Sequence, residues 1–162
     1  MSLTAKDSGS GLNYDPIPEG LHLAHCYSVV DLGTQVSEYN GKEIVRNRVL
    51  ITWELPDERI DIEKEDGTKV NLPRAISAEY TLSLHDKAAL RHDLETWRSK
   101  QFTDDELDGF NLEKLLGVSA QIQVLHKKSA DGKKTYANVT SIVPAPKGYV
   151  TIYGVAIRKL GS

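Results

Sequence analysis

Apolar and polar residues alternate with a period of two over most of this chain, and one internal stretch switches to the helical period. The alternation predicts a first strand over about Leu21 to Leu32. One face carries Ala24, Cys26, Ser28 and Val30; the other carries Leu23, His25, Tyr27 and Val29. Neither set is the clear core face, and a bulge would let both halves reach the core. A second strand is expected over about Glu43 to Leu55, with Val45, Val49, Ile51, Trp53 and Leu55 on the core face. A third spans about Arg74 to Leu84, with Ile76, Ala78, Tyr80 and Leu82 sharing a face. Ala120 to Leu125 and Thr135 to Val143 form a fourth and fifth.

Breaker residues separate these runs. Asp31 to Lys42 reads as a turn region in which Asn40-Gly41 accepts positive φ. Pro56 to Val70 reads as a charged connector with a reversal at Asp66-Gly67. The fourth and fifth strands flank a hairpin tip at Asp131-Gly132. Between strands three and four, Leu90, Leu94 and Trp97 recur at spacings of four and three, which is one face of a helix. Ser83-Leu84-His85-Asp86 reads as a capping box ahead of it. Thr103-Asp104-Asp105-Glu106 reads as a second box, with Phe102 and Leu107 at the staple positions. Asn111 to Leu116 gives a short third turn, stopped at Gly117.

Three regions result: a flexible arm over 1–16, a domain over 17–148, and a β-prone extension over 149–162 that reads as an extra strand. The 162 residues suit one domain with a real core. No apolar run reaches the ~18 residues of a membrane span, so no membrane role is expected. Residues 1–11 lack the apolar stretch of a secretion signal, and one cysteine permits no internal disulfide. A reducing, cytoplasmic setting is the expectation. The net charge of −3 excludes a globally basic nucleic-acid binder but not a local basic groove.

Strand, strand, strand, helical insert, strand, strand is the order of the oligonucleotide-binding (OB) barrel. The expected fold is therefore mainly β, a five-stranded OB-fold barrel with a helical insert between strands 3 and 4. In that fold strands two and three, with the strand 1–2 and 4–5 loops, grip single strands. Charge placement agrees. Lys42, Arg46 and Arg48 lie on strand two or its start, and Lys127, Lys128, Lys133 and Lys134 crowd the strand 4–5 hairpin. Over 119–150 five lysines, counting Lys147, oppose Asp131, for +4. Over 101–118 five acids oppose Lys114, for −4, and over 57–66 six acids oppose Arg59 and Lys64, again −4. The cations thus occupy the elements that a polyanion would meet. Tyr39, Trp53, Tyr80 and Tyr136 supply rings for base stacking, worth about 1–3 kcal/mol per base. By parity Trp53 and Tyr80 are also core candidates, and Trp97 anchors the helix. The expectation is a single cationic, ring-lined cleft along one flank of the sheet.

Several phrases carry a resemblance: Ile17-Pro18-Glu19-Gly20, Cys26 with Asp31-Leu32-Gly33-Thr34-Gln35, Trp53-Glu54-Leu55-Pro56, Tyr80-Thr81-Leu82-Ser83-Leu84-His85, Leu94-Glu95-Thr96-Trp97-Arg98, Tyr136-Ala137-Asn138-Val139 and Pro146-Lys147-Gly148. With these the chain resembles the single-stranded DNA-binding proteins of tailed bacteriophages over roughly Ile17 to Gly148. The resemblance implies an OB barrel that coats single strands during phage replication or recombination, in the cytoplasm of a bacterial host. It implies no catalysis and no cofactor. Partners would be single-stranded DNA, phage replication or recombination proteins, and further copies in a homodimer or higher oligomer. One departure stands out. Many such proteins end in an acidic tail, whereas this chain ends Ile157-Arg158-Lys159-Leu160-Gly161-Ser162, which is basic.

Other chemistries find little support. His22 and His25 are three apart on a strand and face opposite ways, and Cys26 reads as a small buried apolar residue, so no metal site is assigned. Asp57 and Asp131-Gly132-Lys133 mimic a nuclease's carboxylate–lysine set only loosely. No glycine-rich phosphate loop is present. The alternative from another class is a non-catalytic phage protein-interaction or structural module, with residues 57–66 and the Tyr149–Leu160 strand making subunit contacts.

Overall fold

The computed structural model describes residues 15–146 throughout, and the backbone of 149–152 and 155–158. Its body is one antiparallel sheet of five strands: β1 (Gly20–Tyr39), β2 (Lys42–Glu63), β3 (Lys69–Thr81), β4 (Ser119–Lys128) and β5 (Thr135–Val143). The order across the sheet is β3-β2-β1-β4-β5. The sheet curls until its edge strands β3 and β5 approach one another, with no backbone ladder joining them among the described residues. Helix α1 (Ala89–Arg98) packs against both of these edges, and a shorter helix α2 (Asp104–Asp108) and a 3₁₀ turn (Leu112–Leu115) follow it before β4.

The hydrophobic pattern explains the curl. Ala24, Cys26, Val49, Ile51, Trp53, Leu55, Ile76, Tyr80, Ala120, Ile122, Val124 and Ile142 point inward and are buried. Leu90, Leu94 and Trp97 of α1 complete the core. Each fully buried aliphatic side chain contributes roughly 1.5–3 kcal/mol. The parity ambiguity in β1 resolves as a bulge: the register with β2 slips between Cys26 and Ser28. Ala24 and Cys26 therefore face the core before the slip, and Val29 packs against it afterwards. A second slip falls between Asp31 and Gly33.

Helix α1 carries Leu90, Leu94 and Trp97 on its buried face, as their spacing predicts. It ends at Ser99, whose φ of 56° is left-handed and lets its amide bond back to the last turn. The box at Thr103 forms in full: Thr103 Oγ1 accepts from the Glu106 amide at 3.2 Å, and the Glu106 carboxylate accepts from the Thr103 amide at 3.0 Å. The box at Ser83 does not cap α1. The helix begins after Ala88 without a side-chain cap, and Ser83 Oγ instead accepts the His85 amide in a local turn.

Four further expectations need correction. The turn region after Asp31 is strand as far as Tyr39, and only Asn40 and Gly41 turn, with φ of 52° and 75°. The charged connector is a second ribbon. Ile60 pairs with Leu72 and Ile62 with Val70, their half-buried side chains alternating with Asp61, Glu63, Lys69 and Asn71, and the reversal at Asp66-Gly67 lies between β2 and β3. Val45 is exposed because β2 runs past the core there, and Leu82 is exposed because β3 ends at Thr81, short of the expected Leu84. The single strand expected over Tyr149–Leu160 is a hairpin, β6 (Tyr149–Ile152) with β7 (Val155–Arg158). Residues 1–14, 147–148, 153–154 and 159–162 lie outside the described residues, and with them most of the expected arm.

Candidate nucleic-acid interface

The strand registers decide which expected site residues share a face. In β2 the odd positions from Val49 to Leu55 enter the core, so Lys42, Arg46 and Arg48 lie on the opposite, outer face. Tyr39 pairs directly with Lys42 across the Asn40-Gly41 turn and Gln35 with Arg46, which places those two on the outer face as well. Tyr39 is 66% exposed. Arg48 is engaged: its Nε meets Glu79 Oε1 at 3.0 Å and its Nη1 donates to Thr81 Oγ1 at 2.7 Å. It ties β2 to β3, and Glu79 offsets its charge. Lys42 and Arg46 are exposed and in no ion pair among the described residues.

The strand 4–5 hairpin repeats the arrangement. Ala120, Ile122 and Val124 enter the core, so Lys127 lies on the outer face, and it pairs directly with Tyr136. Tyr136 is 51% exposed. Lys128 pairs with Thr135 on the other face, and Lys133 and Lys134 follow the tip. Asp131 shapes that tip, accepting from Ser129 Oγ and from the Lys133 amide at 3.0 Å. These bonds hold its carboxyl below the usual carboxylate range. All four lysines are exposed and outside any ion pair among the described residues.

Each hairpin thus presents an exposed tyrosine directly opposite a lysine, as a cross-strand pair whose Cβ atoms stand about 5 Å apart. Leu21 and Leu125, both exposed, join the second pair: Leu125 shares the parity of Lys127, and Leu21 sits opposite Gln123 on β1. These two apolar residues were missed in the sequence. Leu125 was visible through its parity with Lys127, whereas Leu21 is placed only by the β1–β4 register.

Two expected stacking residues are not available. Trp53 is fully buried and Tyr80 nearly so. The Trp53 ring meets Trp97 edge-on, and the Tyr80 hydroxyl donates to Asp93 Oδ2 at 2.7 Å, joining β3 to α1. Burial and the adjacent Asp93 carboxylate push the Tyr80 phenol well above its ordinary range, so it stays a neutral donor.

The registers place the residues of the expected cleft toward the two ends of β1. The first half of β1 pairs with β4 (Gly20 with Val124, His25 with Ser119), while its second half pairs with β2 as far as Tyr39. β4 runs on past Gly20 to Lys128, so the two hairpin tips leave β1 in opposite directions. The 20 residues of β1 amount to roughly 60 Å of strand before bending. Tyr39, Lys42 and Arg46 lie toward one end of β1, and Lys127 and Tyr136 lie toward the other, with Lys133 and Lys134 after the adjoining tip and Lys128 on the opposite face.

Among the described residues no group of three or more His, Cys, Asp or Glu side chains is placed to hold a metal ion. No helix among them is long and apolar enough to cross a membrane. Comparison with protein families, with characterised proteins and with solved structures finds no match for this chain.

Proposed function

We propose that the protein is an OB-fold binder of single-stranded DNA, tolerant of sequence and without catalytic activity, that coats and protects strands during phage replication or recombination. The observation that carries this reading is the repeated exposed tyrosine–lysine pair, Tyr39 with Lys42 and Tyr136 with Lys127, at the two hairpins an OB barrel uses. The strand order β3-β2-β1-β4-β5, with α1 after β3 bridging the two sheet edges, supports the same fold. The lysines and Arg46 hold phosphates by a salt-sensitive attraction, and the rings stack on whichever bases lie next to those phosphates. Arg48 keeps the β2–β3 floor in place.

Fluorescence titration with poly-dT and with duplex DNA, each at two salt concentrations, tests the proposal. Tight, salt-sensitive binding that prefers the single strand is the expected result. Absence of binding at low salt would overturn it and favour a protein-interaction module. Metal-dependent degradation of the DNA would instead make the protein a nuclease.

A further inference from the structure

The C-terminal hairpin repeats a pairing found in the other two. Tyr149 stands directly opposite Arg158 in the β6–β7 register, as Tyr39 stands opposite Lys42 and Tyr136 opposite Lys127. In the same register Val150 pairs with Ile157 and Ile152 with Val155, so these four residues share one face of the hairpin. Tyr149, Thr151, Ala156 and Arg158 share the other. Residues 144–162 carry Lys147, Arg158 and Lys159 and no acid, a balance that attracts a polyanion.

Two constraints place this hairpin. β6 lies against β1 and β7 against β2, with no ladder joining either to the five-stranded sheet among the described residues. A hairpin that touches both strands at once sits where they run side by side, a stretch that opens with His25 opposite Glu54. β5 leaves the sheet at Val143, opposite Gln121 of β4, which is in turn opposite Leu23 of β1. The chain from Val143 to Tyr149 spans about 20 Å at most. Tyr39 lies roughly 50 Å of strand beyond Leu23, so the hairpin begins in the half of β1 nearer Leu23. The inner face there is filled by Cys26, Ile51, Trp53 and the buried residues of α1, which leaves the outer face. His25 and Glu54 agree with a cover at that place. Both lie on the outer face, since Ala24, Cys26, Trp53 and Leu55 point inward, yet their side chains are only 12% and 20% exposed.

We infer that the Tyr149/Arg158 face of this hairpin is a third contact for single-stranded DNA, seated between the contacts at the two ends of β1. The inference rests on the proposed DNA binding. It gives a strand running from Tyr39 to Tyr136 a ring and a cation part of the way along. The face of Val150, Ile152, Val155 and Ile157 belongs against the sheet, the support that a lone two-stranded hairpin needs to be stable.

Ultraviolet cross-linking of the full chain to an iodouracil-substituted dT oligonucleotide, mapped by mass spectrometry, tests the contact. Tyr149 should be among the modified residues. In titrations with poly-dT, Y149A should bind on the order of tenfold more weakly than the parent. R158Q should lower the slope of log K against log salt by about 0.7, and R158K should restore it. The cross-link uses unaltered residues, so it decides even if a variant folds poorly. Cross-links that spare Tyr149, or parent-like affinity in Y149A together with a parent-like slope in R158Q, would overturn the third contact and leave DNA binding standing. A parent that binds no single strand would overturn both.

Discussion

Trp53 and Trp97 meet edge to face, their ring centroids 6.0 Å apart and their planes at 60°. One ring belongs to the middle of β2 and the other to the helix that packs at the sheet edges, so the pair joins the sheet to its insert. Such pairs add about 0.5–1.5 kcal/mol beyond the area they bury. The two indoles differ in one respect. Trp97 Nε1 donates to the Ser119 carbonyl at 2.9 Å, whereas Trp53 Nε1 has no hydrogen-bond partner among the described residues.

That difference predicts an asymmetry. Trp97→Phe loses a hydrogen bond as well as volume, and Trp53→Phe loses volume and relieves an unsatisfied donor. Trp97→Phe should be the more destabilising by about 1 kcal/mol in urea denaturation. Trp53→Ala and Trp97→Ala should each cost roughly 3–5 kcal/mol. If Trp53→Phe proved the costlier, the assigned hydrogen bonding of the two indoles would be wrong.

The exposed rings make a different prediction. Tyr39→Ala and Tyr136→Ala should each weaken poly-dT binding by about 1–3 kcal/mol, with unfolding midpoints near that of the parent. Tyr80→Phe should do the reverse. It removes the bond to Asp93, lowers stability by about 1 kcal/mol or somewhat more, and leaves DNA affinity in place.

Charge neutralisation reads the lysine hairpin directly. Replacing Lys127, Lys128, Lys133 and Lys134 with Gln should flatten the dependence of log K on log salt. The slope should fall by about 0.7 for each phosphate of the single strand that no longer meets a lysine. A slope equal to the parent's would remove the hairpin from the interface.

Cys26 gives a pH and reactivity prediction. Burial pushes its thiol up from 9.0 to about 11, partly offset by a backbone hydrogen bond with Ser28. At pH 8 the folded protein should resist a thiol reagent that modifies the denatured chain quickly. The folded state holds this proton more tightly than the unfolded state does. Its contribution to stability is therefore complete below about pH 9 and is lost as pH rises through about 11. In Cys26→Ser, alkaline denaturation should lose that component.

Glu106 is one of the carboxylates that contribute on the acid side. The Thr103 amide is the main cause of its lowered carboxyl pKa, and Arg98, whose Nη2 lies 2.6 Å from Glu106 Oε2, adds to the effect. A depressed folded-state value contributes stability above the ordinary carboxylate range, which disappears as pH falls through the depressed one. Glu106→Gln should therefore show a shallower loss of stability on acidification, followed by circular dichroism.

Local features were the legible ones. The spacing of Leu90, Leu94 and Trp97, the Thr103 box and Asn40-Gly41 each form within a few residues and appear where the pattern puts them. The β1 bulge was legible as a conflict between two parities. The β2–β3 ribbon was hidden because acidic residues alternate with Ile60 and Ile62, and their charge masks the period. The separation of the two basic clusters was not legible at all. It follows from β1 pairing Gly20 with Val124, partners about a hundred residues apart, which no local pattern encodes. Trp53 and Tyr80 show the same lesson in reverse: their parity pointed to the core, and the core is where both lie.

The slip between Cys26 and Ser28 makes Tyr27 a supernumerary residue, since it has no counterpart on β2. Excising Tyr27 would straighten β1 while leaving Cys26 opposite Trp53 and Val29 opposite Ile51. Excising Gln35, which pairs with Arg46 away from either slip, would turn one flank of the strand inside out. Shortening the chain by one residue is thus tolerable at two points of β1, Tyr27 and, by the same reasoning at the second slip, Leu32, and deletion variants compared by thermal melting would locate them.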